Sequence, residues 1–231
     1  MCTGFIKKGT DLLFGFNLDI DPTVWHFGVY QTNDYFTIGI KVGTTLYFTH
    51  GVNKEGHFGN LPYMNAPEIG KYHRGKNDFR IDLLNDRYIR NIYSFEDVKA
   101  ILQTKNIVNA PNGSMHSLIG DKEGHILLVE PGFGYQEVEE NFAVITNFPL
   151  FKNVEEKNPW FGIDRYEKAT KIFKESSPSF GPLEGIALLK QVKQEGPWAT
   201  RVSFVYSKNE HCVYYVLNND FNSIQKHVLG K

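Results

Sequence analysis

The sequence has little cysteine, almost no net charge and no long apolar run. Two cysteines occur in 231 residues, and 25 Lys and Arg residues against 26 Asp and Glu residues give a formal net charge of −1. This balance, without a basic stripe, argues against nucleic acid as a partner. No stretch approaches the roughly 20 apolar residues of a membrane-spanning helix, and no secretory signal follows the first methionine. We therefore expect a cytoplasmic protein with neither a membrane nor a nucleic acid as a partner.

The scarcity of cysteine also bears on redox and metal chemistry. The two cysteines are Cys2 and Cys212, and a reducing compartment argues against a disulfide between them. Cys212 lies within an apolar segment with the pattern of a strand, so we predict that it is a small residue of the core. No spacing of Cys and His resembles a metal site, and we expect neither a metal nor another cofactor.

Aromatic residues are abundant, at 14% of the chain, and they favour strands and apolar pockets. Apolar segments closed by turn residues predict a first half made mainly of strands, with further strands in the middle and at the end. The expected strand segments are 12–19, 25–31, 35–42, 44–49, 117–120, 125–129, 142–146, 200–206 and 212–217.

Three helices are predicted from capping patterns and apolar spacing. One begins at Ser94, where Asp97 three residues later gives a pattern like a capping box. Asp164 and Glu167 give a similar pattern for the second helix, and Pro182 opens the third. The order of strands, helices and strands favours a layered α+β fold. The length suits one domain over residues 1–231.

Cys2 becomes a candidate nucleophile if the initiator methionine is removed, as is usual when the second residue is small. Its thiol would then lie within one side chain's reach of a free α-amine, whose reference pKa is about 8. That amine can accept the thiol proton and later donate a proton to a leaving nitrogen. A cysteine at position 2 often occurs by chance, so the interpretation of Cys2 as a nucleophile needs support from other segments of the chain.

Short segments spread along the chain provide that support. They are Cys2-Thr3-Gly4, Gly15-Phe16-Asn17-Leu18-Asp19, Gly51-Val52-Asn53-Lys54-Glu55-Gly56, Thr146-Asn147-Phe148-Pro149, Asp164-Arg165-Tyr166 and residues 200–215. In this order they resemble the choloylglycine hydrolase and penicillin V acylase family, which are linear amide C–N hydrolases of the N-terminal nucleophile superfamily. The resemblance implies a four-layer αββα sandwich of two antiparallel sheets.

The resemblance also implies roles near the nucleophile. Cys2 would be the nucleophile, with its own α-amine as the base. Asp19 matches an acidic residue close to that amine, where a carboxylate would stabilise the protonated form. Asp21, two residues further on, is the alternative.

Three further positions match the catalytic residues of the family. Asn147 matches the side-chain amide of the oxyanion hole, a neutral donor that has no proton to lose. Tyr63 matches a residue whose backbone amide contributes to the same hole. Arg165 matches the active-site arginine, and Arg201 is the alternative.

The sequence departs from the family in two respects. The arginine of the family's Gly-Arg-Asn element is Phe16 here, and the loss of that cation is expected to raise the pKa of the thiol. The chain is also shorter than typical members, partly between Asn147 and Arg165. Larger members carry an extension there that is used in tetramer assembly, so a homo-oligomer is left open for this chain.

The function expected from these matches is hydrolysis of a linear, non-peptide amide bond in a small N-acyl substrate through a thioester intermediate. Penicillin V, conjugated bile acids and N-acyl amino compounds are the substrate classes that the resemblance implies. Four aromatic residues of the first half are candidates for the acyl pocket: Phe16, Trp25, Phe27 and Phe58. The alternatives are an acyltransferase of the same fold and a catalytically impaired homologue that binds acyl ligands.

Overall fold

The computed structural model describes residues 2–111, 113–151 and 162–230 of the chain. Within these ranges, two large antiparallel sheets lie face to face and α-helices cover their outer surfaces. The helices are α1 (Ile81–Ile89), α2 (Phe95–Thr104), α3 (Ile163–Glu175) and α4 (Pro182–Gln191). No helix in these ranges is long and apolar enough to cross a membrane.

The first sheet contains six strands. In spatial order they are β12 (Phe142–Ile145), β1 (Cys2–Lys8), β2 (Leu12–Asp19), β13 (Thr200–Ser207), β14 (Cys212–Leu217) and β15 (Gln225–Val228). The hairpin of β1 and β2 pairs Cys2 with Leu18 and Gly4 with Phe16. All residues of β2 are buried, because the second sheet covers one face of this strand and helices cover the other.

The second sheet contains seven strands. In spatial order they are β11 (Gly134–Glu137), β10 (Ile126–Glu130), β9 (Ser117–Gly120), β6 (Phe58–Asn60), β5 (Thr45–Asn53), β4 (Tyr35–Val42) and β3 (Phe27–Gln31). The register of β4 against β5 shifts between Ile38 and Gly39. A separate parallel pair, β7 (Asp78–Arg80) and β8 (Asn106–Val108), flanks the first two helices in the chain.

Three apolar clusters hold the layers together. The middle cluster joins the inner faces of the two sheets, where Phe58 of the second sheet stacks on Phe14 of the first with ring centroids 4.9 Å apart. A second cluster seats α3 and α4 on the first sheet around Phe5 and Phe173. The third seats α1 and α2 on the second sheet. The expected α+β class and the αββα order of layers are therefore confirmed.

The helix boundaries confirm two of the expected signals and correct one. Ser94 caps α2 in a capping box with Asp97, and Pro182 is the first residue of α4. The expectation that Asp164 caps α3 is wrong, because the helix begins at Ile163 after Gly162, which has a φ of 71°. Asp164 instead lies in the first turn, where its charge suits the helix dipole.

Candidate active site

Cys2 begins β1 at a buried end of the first sheet, with only 5% of the residue exposed. Its backbone N–H donates to Oδ1 of Asn147 at 2.8 Å. This contact follows from the topology, because β12 runs antiparallel beside β1 and pairs Ile145 with Gly4. The residue two places beyond Ile145 therefore comes to lie at the start of β1. Two segments that are 145 residues apart in the chain thus meet at Cys2.

The side chain of Asn147 is fully buried and its amide orientation is fixed by donors and acceptors. Its Oδ1 accepts from the Cys2 N–H and from Nη2 of Arg165 at 2.9 Å, while its Nδ2 donates to the Tyr63 carbonyl at 2.6 Å. Both groups on Oδ1 are donors, so the oxygen has to face Cys2. The nitrogen carries a second hydrogen, which has no acceptor among the described residues.

Arg165 reaches the same point from the first turn of α3 and is 3% exposed. Its Nη1 donates to the Cys2 carbonyl, to Oγ1 of Thr3 at 2.8 Å and to the carboxylate of Asp19 at 3.4 Å. Gly162 makes room for this side chain, because a Cβ there would lie 2.3 Å from Nη2 of Arg165. The guanidinium therefore fixes the backbone of the first residues of β1 from behind.

Asp19 ends β2 next to Cys2 and is buried. One carboxylate oxygen accepts from Oγ1 of Thr200 at 2.6 Å, and the other faces Arg165. Burial raises the pKa of Asp19 to about 7, and the charge of Arg165 and the Thr200 hydrogen bond limit that rise. A carboxyl with such a pKa can exchange a proton near neutral pH.

Opposing effects act on the pKa of the Cys2 thiol. Burial raises its pKa above the usual value, and the negative charge of Asp19 raises it further. The charge of Arg165 lowers it. Because desolvation dominates, the thiol needs a nearby base or an additional positive charge to become a thiolate near neutral pH.

A cavity of about 590 Å³ opens in front of Cys2. Cys2, Asp19 and Tyr63 line it, whereas Asn147 and Arg165 contact Cys2 and are not among the lining residues. The wall is mostly apolar and includes Leu18, Trp25, Ile40, Tyr47, Met115 and Trp198. A polar pair, Arg80 and Asp82, also faces this space. The shape and lining suit an apolar group attached to a polar one.

The four aromatic residues expected in the pocket have different positions. Trp25 lines the cavity. Phe16 and Phe58 are fully buried between the sheets, and Phe27 is partly buried against the same cluster, so none of these three is part of the wall. The phenyl ring at position 16 packs on His50 and Phe204.

The alternative residues lie outside the cluster around Cys2. Asp21 accepts hydrogen bonds from the backbone N–H and the hydroxyl of Thr23 in the turn after β2. Arg201 donates to the Ile20 carbonyl at 3.4 Å. The structure therefore brings Asp19 and Arg165, rather than Asp21 and Arg201, to Cys2. No group of three or more His, Cys, Asp and Glu side chains that could hold a metal occurs among the described residues.

Two polar features near the site have no counterpart in the sequence expectations. His116 is fully buried and contacts Glu130 at 3.1 Å and the Thr146 carbonyl at 2.9 Å. Glu130 in turn accepts from the backbone N–H of Leu150 and Phe151. This pair holds the segment around Asn147. The second feature is His50 in the cavity wall, where alternation along β5 predicts an inward side chain but not its environment.

Comparisons with known proteins agree with this geometry. A sequence profile of the linear amide C-N hydrolases, choloylglycine hydrolase family, matches residues 13–186. Comparison with curated protein sequences found no significant match.

Several solved structures resemble the fold. A mutant conjugated bile acid hydrolase from Clostridium perfringens is 17% identical with a TM-score of 0.69, over 98% of this chain and 92% of that one. Penicillin V acylase from Agrobacterium tumefaciens is 16% identical with a TM-score of 0.60, over 94% of this chain and 83% of that one. A Caenorhabditis elegans N-acylethanolamine-hydrolyzing acid amidase ortholog is 15% identical with a TM-score of 0.57, over 90% and 93%.

Proposed function

The chain belongs to the choloylglycine hydrolase family of linear amide C-N hydrolases, and from this premise we propose that it cleaves the amide bond of a small N-acyl compound with Cys2 as the nucleophile. The observation that carries this proposal is the convergence of Asn147, Arg165 and Asp19 on Cys2 at the head of an apolar cavity. These three residues come from different parts of the chain. Burying polar groups together costs free energy, and this cost favours a functional role for the cluster.

The first step requires removal of Met1. The nitrogen that now donates to Oδ1 of Asn147 at 2.8 Å would then be an α-amine held in the same place. Because the reference pKa of an α-amine is about 8, this amine can take the thiol proton and offset the effect of burial on the thiol. The resulting ammonium lowers the pKa of Asp19, whose carboxylate then stabilises the positive charge.

The thiolate attacks the acyl carbonyl, and the tetrahedral oxyanion needs hydrogen-bond donors. The second hydrogen on Nδ2 of Asn147 is one donor, and the backbone amide of Tyr63 is the other. The ammonium then protonates the leaving nitrogen, and a free amine departs from a thioester on Cys2. Water activated by the α-amine attacks the thioester, which releases the carboxylic acid and restores the thiol.

The cavity selects the acyl part. Its volume of about 590 Å³ is in the usual range for a drug-sized ligand, and its lining suits an apolar chain or ring. Arg80 carries a positive charge at the same space, although Asp82 neutralises much of it. The substrate class is therefore a small N-acyl amide, such as an N-acyl amino compound, a conjugated bile acid or penicillin V.

The test is amine release from a panel of N-acyl amino acids, glycocholate, taurocholate and penicillin V. Intact mass records whether Met1 is absent from each preparation. Cys2→Ala is expected to abolish release, whereas Cys212→Ala removes the other thiol, which is buried in β14, and keeps activity. Asn147→Ala is expected to lower kcat by roughly a hundredfold or more, the usual effect of losing an oxyanion donor.

Release that persists in Cys2→Ala would contradict the proposal. Product analysis with an added acceptor amine separates a hydrolase from an acyltransferase of the same fold. Ligand binding without turnover, in protein that lacks Met1, would indicate the impaired homologue instead.

A further inference from the structure

His50 has an unusual position for a polar side chain. It lies on β5, is 2% exposed and forms part of the wall of the cavity that Cys2 lines. Its Nδ1 is engaged, with the Leu61 N–H and the Asn60 side chain each at 3.1 Å. No described residue provides a hydrogen-bond partner for its Nε2. A buried ring nitrogen thus faces a ligand cavity without a protein partner.

The packing places His50 close to the nucleophile. Cys2 and Gly4 are two residues apart in β1 and therefore lie on the same face, about 7 Å apart. Phe16 pairs with Gly4 across the hairpin, and the His50 ring stacks on Phe16 with centroids 4.1 Å apart and planes 19° apart. The Asn60 amide fills the space beside Gly4, where a Cβ would meet its nitrogen at 1.7 Å. The imidazole is therefore about one strand repeat from Cys2.

The hydrogen bonds at Nδ1 determine which ring nitrogen carries hydrogen. The Leu61 N–H points to Nδ1 and to the Thr49 carbonyl, each at 3.1 Å, and this contact favours a lone pair on Nδ1. In its present orientation the Asn60 amide faces Nδ1 with its oxygen, and its nitrogen has no acceptor. Turning the amide brings the nitrogen to Nδ1 and gives it an acceptor. Both observations favour hydrogen on Nε2. Burial also lowers the pKa of His50 to about 3, which keeps the ring neutral.

We propose that Nε2–H of His50 is a specificity determinant, which donates to an acceptor oxygen a few atoms along the acyl chain from the scissile carbonyl. The enzyme then prefers acyl groups that carry an ether, keto or hydroxyl oxygen at that place over plain alkyl chains. This inference rests on the proposed function for the reaction, although the binding preference is independent of turnover. It follows because a buried donor left without an acceptor penalises a ligand that offers only CH₂ groups.

The test uses N-octanoylglycine and N-(pentyloxyacetyl)glycine, which have acyl chains of equal length. They differ only at the third acyl position, which is CH₂ in the first ligand and an ether oxygen in the second. Binding is measured with Cys2→Ala, which cannot turn them over, from the fluorescence of Trp25 and Trp198 in the cavity wall. With His50 present, the ether is expected to bind roughly fivefold more tightly, as for one net hydrogen bond. In the double variant with His50→Phe, which keeps a ring on Phe16, the preference is expected to vanish or reverse.

Equal or weaker binding of the ether with His50 present would overturn the inference, as would an unchanged preference in His50→Phe or no binding of either ligand to folded protein. Amine release by the wild type is measured separately. Turnover without an ether preference removes only the His50 inference, whereas an ether preference without turnover removes only the proposed reaction.

A second readout observes the His50 ring directly. Nitrogen-15 NMR of histidine-labelled protein at pH 7 is expected to show one buried ring that is neutral with hydrogen on Nε2, and its Nε2 signal is expected to move when the ether ligand binds. His50→Gln, which keeps an N–H donor, assigns that signal by its loss. A ring protonated at Nδ1, or an Nε2 signal that does not respond to the ether, would overturn the inference.

Discussion

Asp19 is the residue whose protonation most directly links the site to the stability of the protein. Its pKa rises from the usual 3.8 to about 7 on folding, mainly through burial. Between those two values the folded state holds a proton that the unfolded state has released. The free energy of unfolding is therefore lowered as pH rises through this window, by at most about 1.4 kcal/mol per pH unit, and levels off above pH 7.

The corresponding prediction concerns Asp19→Asn, which removes this titration. Relative to the variant, the wild type is expected to lose a few kcal/mol of stability between about pH 4 and pH 7, measured by urea denaturation at a series of pH values. Asp21→Asn is the control, since hydrogen bonds from Thr23 lower the pKa of Asp21 and give the opposite sign. Parallel stability curves for the wild type and Asp19→Asn would contradict the burial effect.

Some residues of the site could be predicted from the sequence, and others could not. Cys2, Asp19, Asn147 and Arg165 follow short motifs, and the structure brings them together; their catalytic roles stay predictions. The cavity wall could not be predicted, because strand alternation gives the face of a side chain but not what covers it. Phe16 and Trp25 both look like pocket residues, yet only Trp25 reaches the cavity.

At the scale of single elements, α2 shows how local sequence sets a boundary. The Ser94 hydroxyl accepts from the Asp97 N–H at 3.1 Å, and the Asp97 carboxylate accepts from the Ser94 N–H at 2.9 Å. Ser94→Ala is expected to lower the free energy of unfolding by about 1 kcal/mol, because one N-terminal N–H of the helix loses its acceptor. Urea denaturation would measure the loss.

Ser94→Thr is the matched control for that change, since it keeps the hydroxyl and should retain most of the stability. A wild-type midpoint in Ser94→Ala would show that water replaces the cap at no cost.

Elements without such signals were not predicted. Helix α1 begins after Arg80, whose side chain makes no capping hydrogen bond, and its boundary depends on packing under the second sheet. Strand β1 has a polar end at Lys7 and Lys8 and a glycine at position 4, so its pattern is weak on its own. Its place is set by pairing with both β2 and β12.

On the scale of the whole molecule, aromatic residues pack between the two sheets, and no ion pair in the described part of the chain joins them. Phe58 is fully buried and stacks on Phe14 across the middle layer. Phe58→Ala is expected to lower the free energy of unfolding by about 3–5 kcal/mol, through lost burial and the cavity left behind. Phe133→Ala, at a position 42% exposed, is the control and is expected to change stability by less than about 0.5 kcal/mol.

The measurement is the urea midpoint of each variant, compared at an unchanged slope. Similar losses in both variants would contradict the assignment of Phe58 to the middle layer.

The class of fold was predictable from the order of strands and helices, but the order of layers was not. It came from the family resemblance, because the apolar faces of the strands do not specify which sheet they meet.

The buried start of β1 imposes an order on events during synthesis. Cys2 bonds to Asn147 and Arg165, which lie 145 and 163 residues later in the chain, so on a ribosome that adds about 5–20 residues per second these partners emerge on the order of ten seconds later. Until then an aminopeptidase can reach the bond before Cys2, whereas the docked residue is 5% exposed. The removal of Met1 that the proposed function requires is therefore expected to occur on the nascent chain, and protein that folds before this step is expected to keep Met1 when it is later treated with an aminopeptidase.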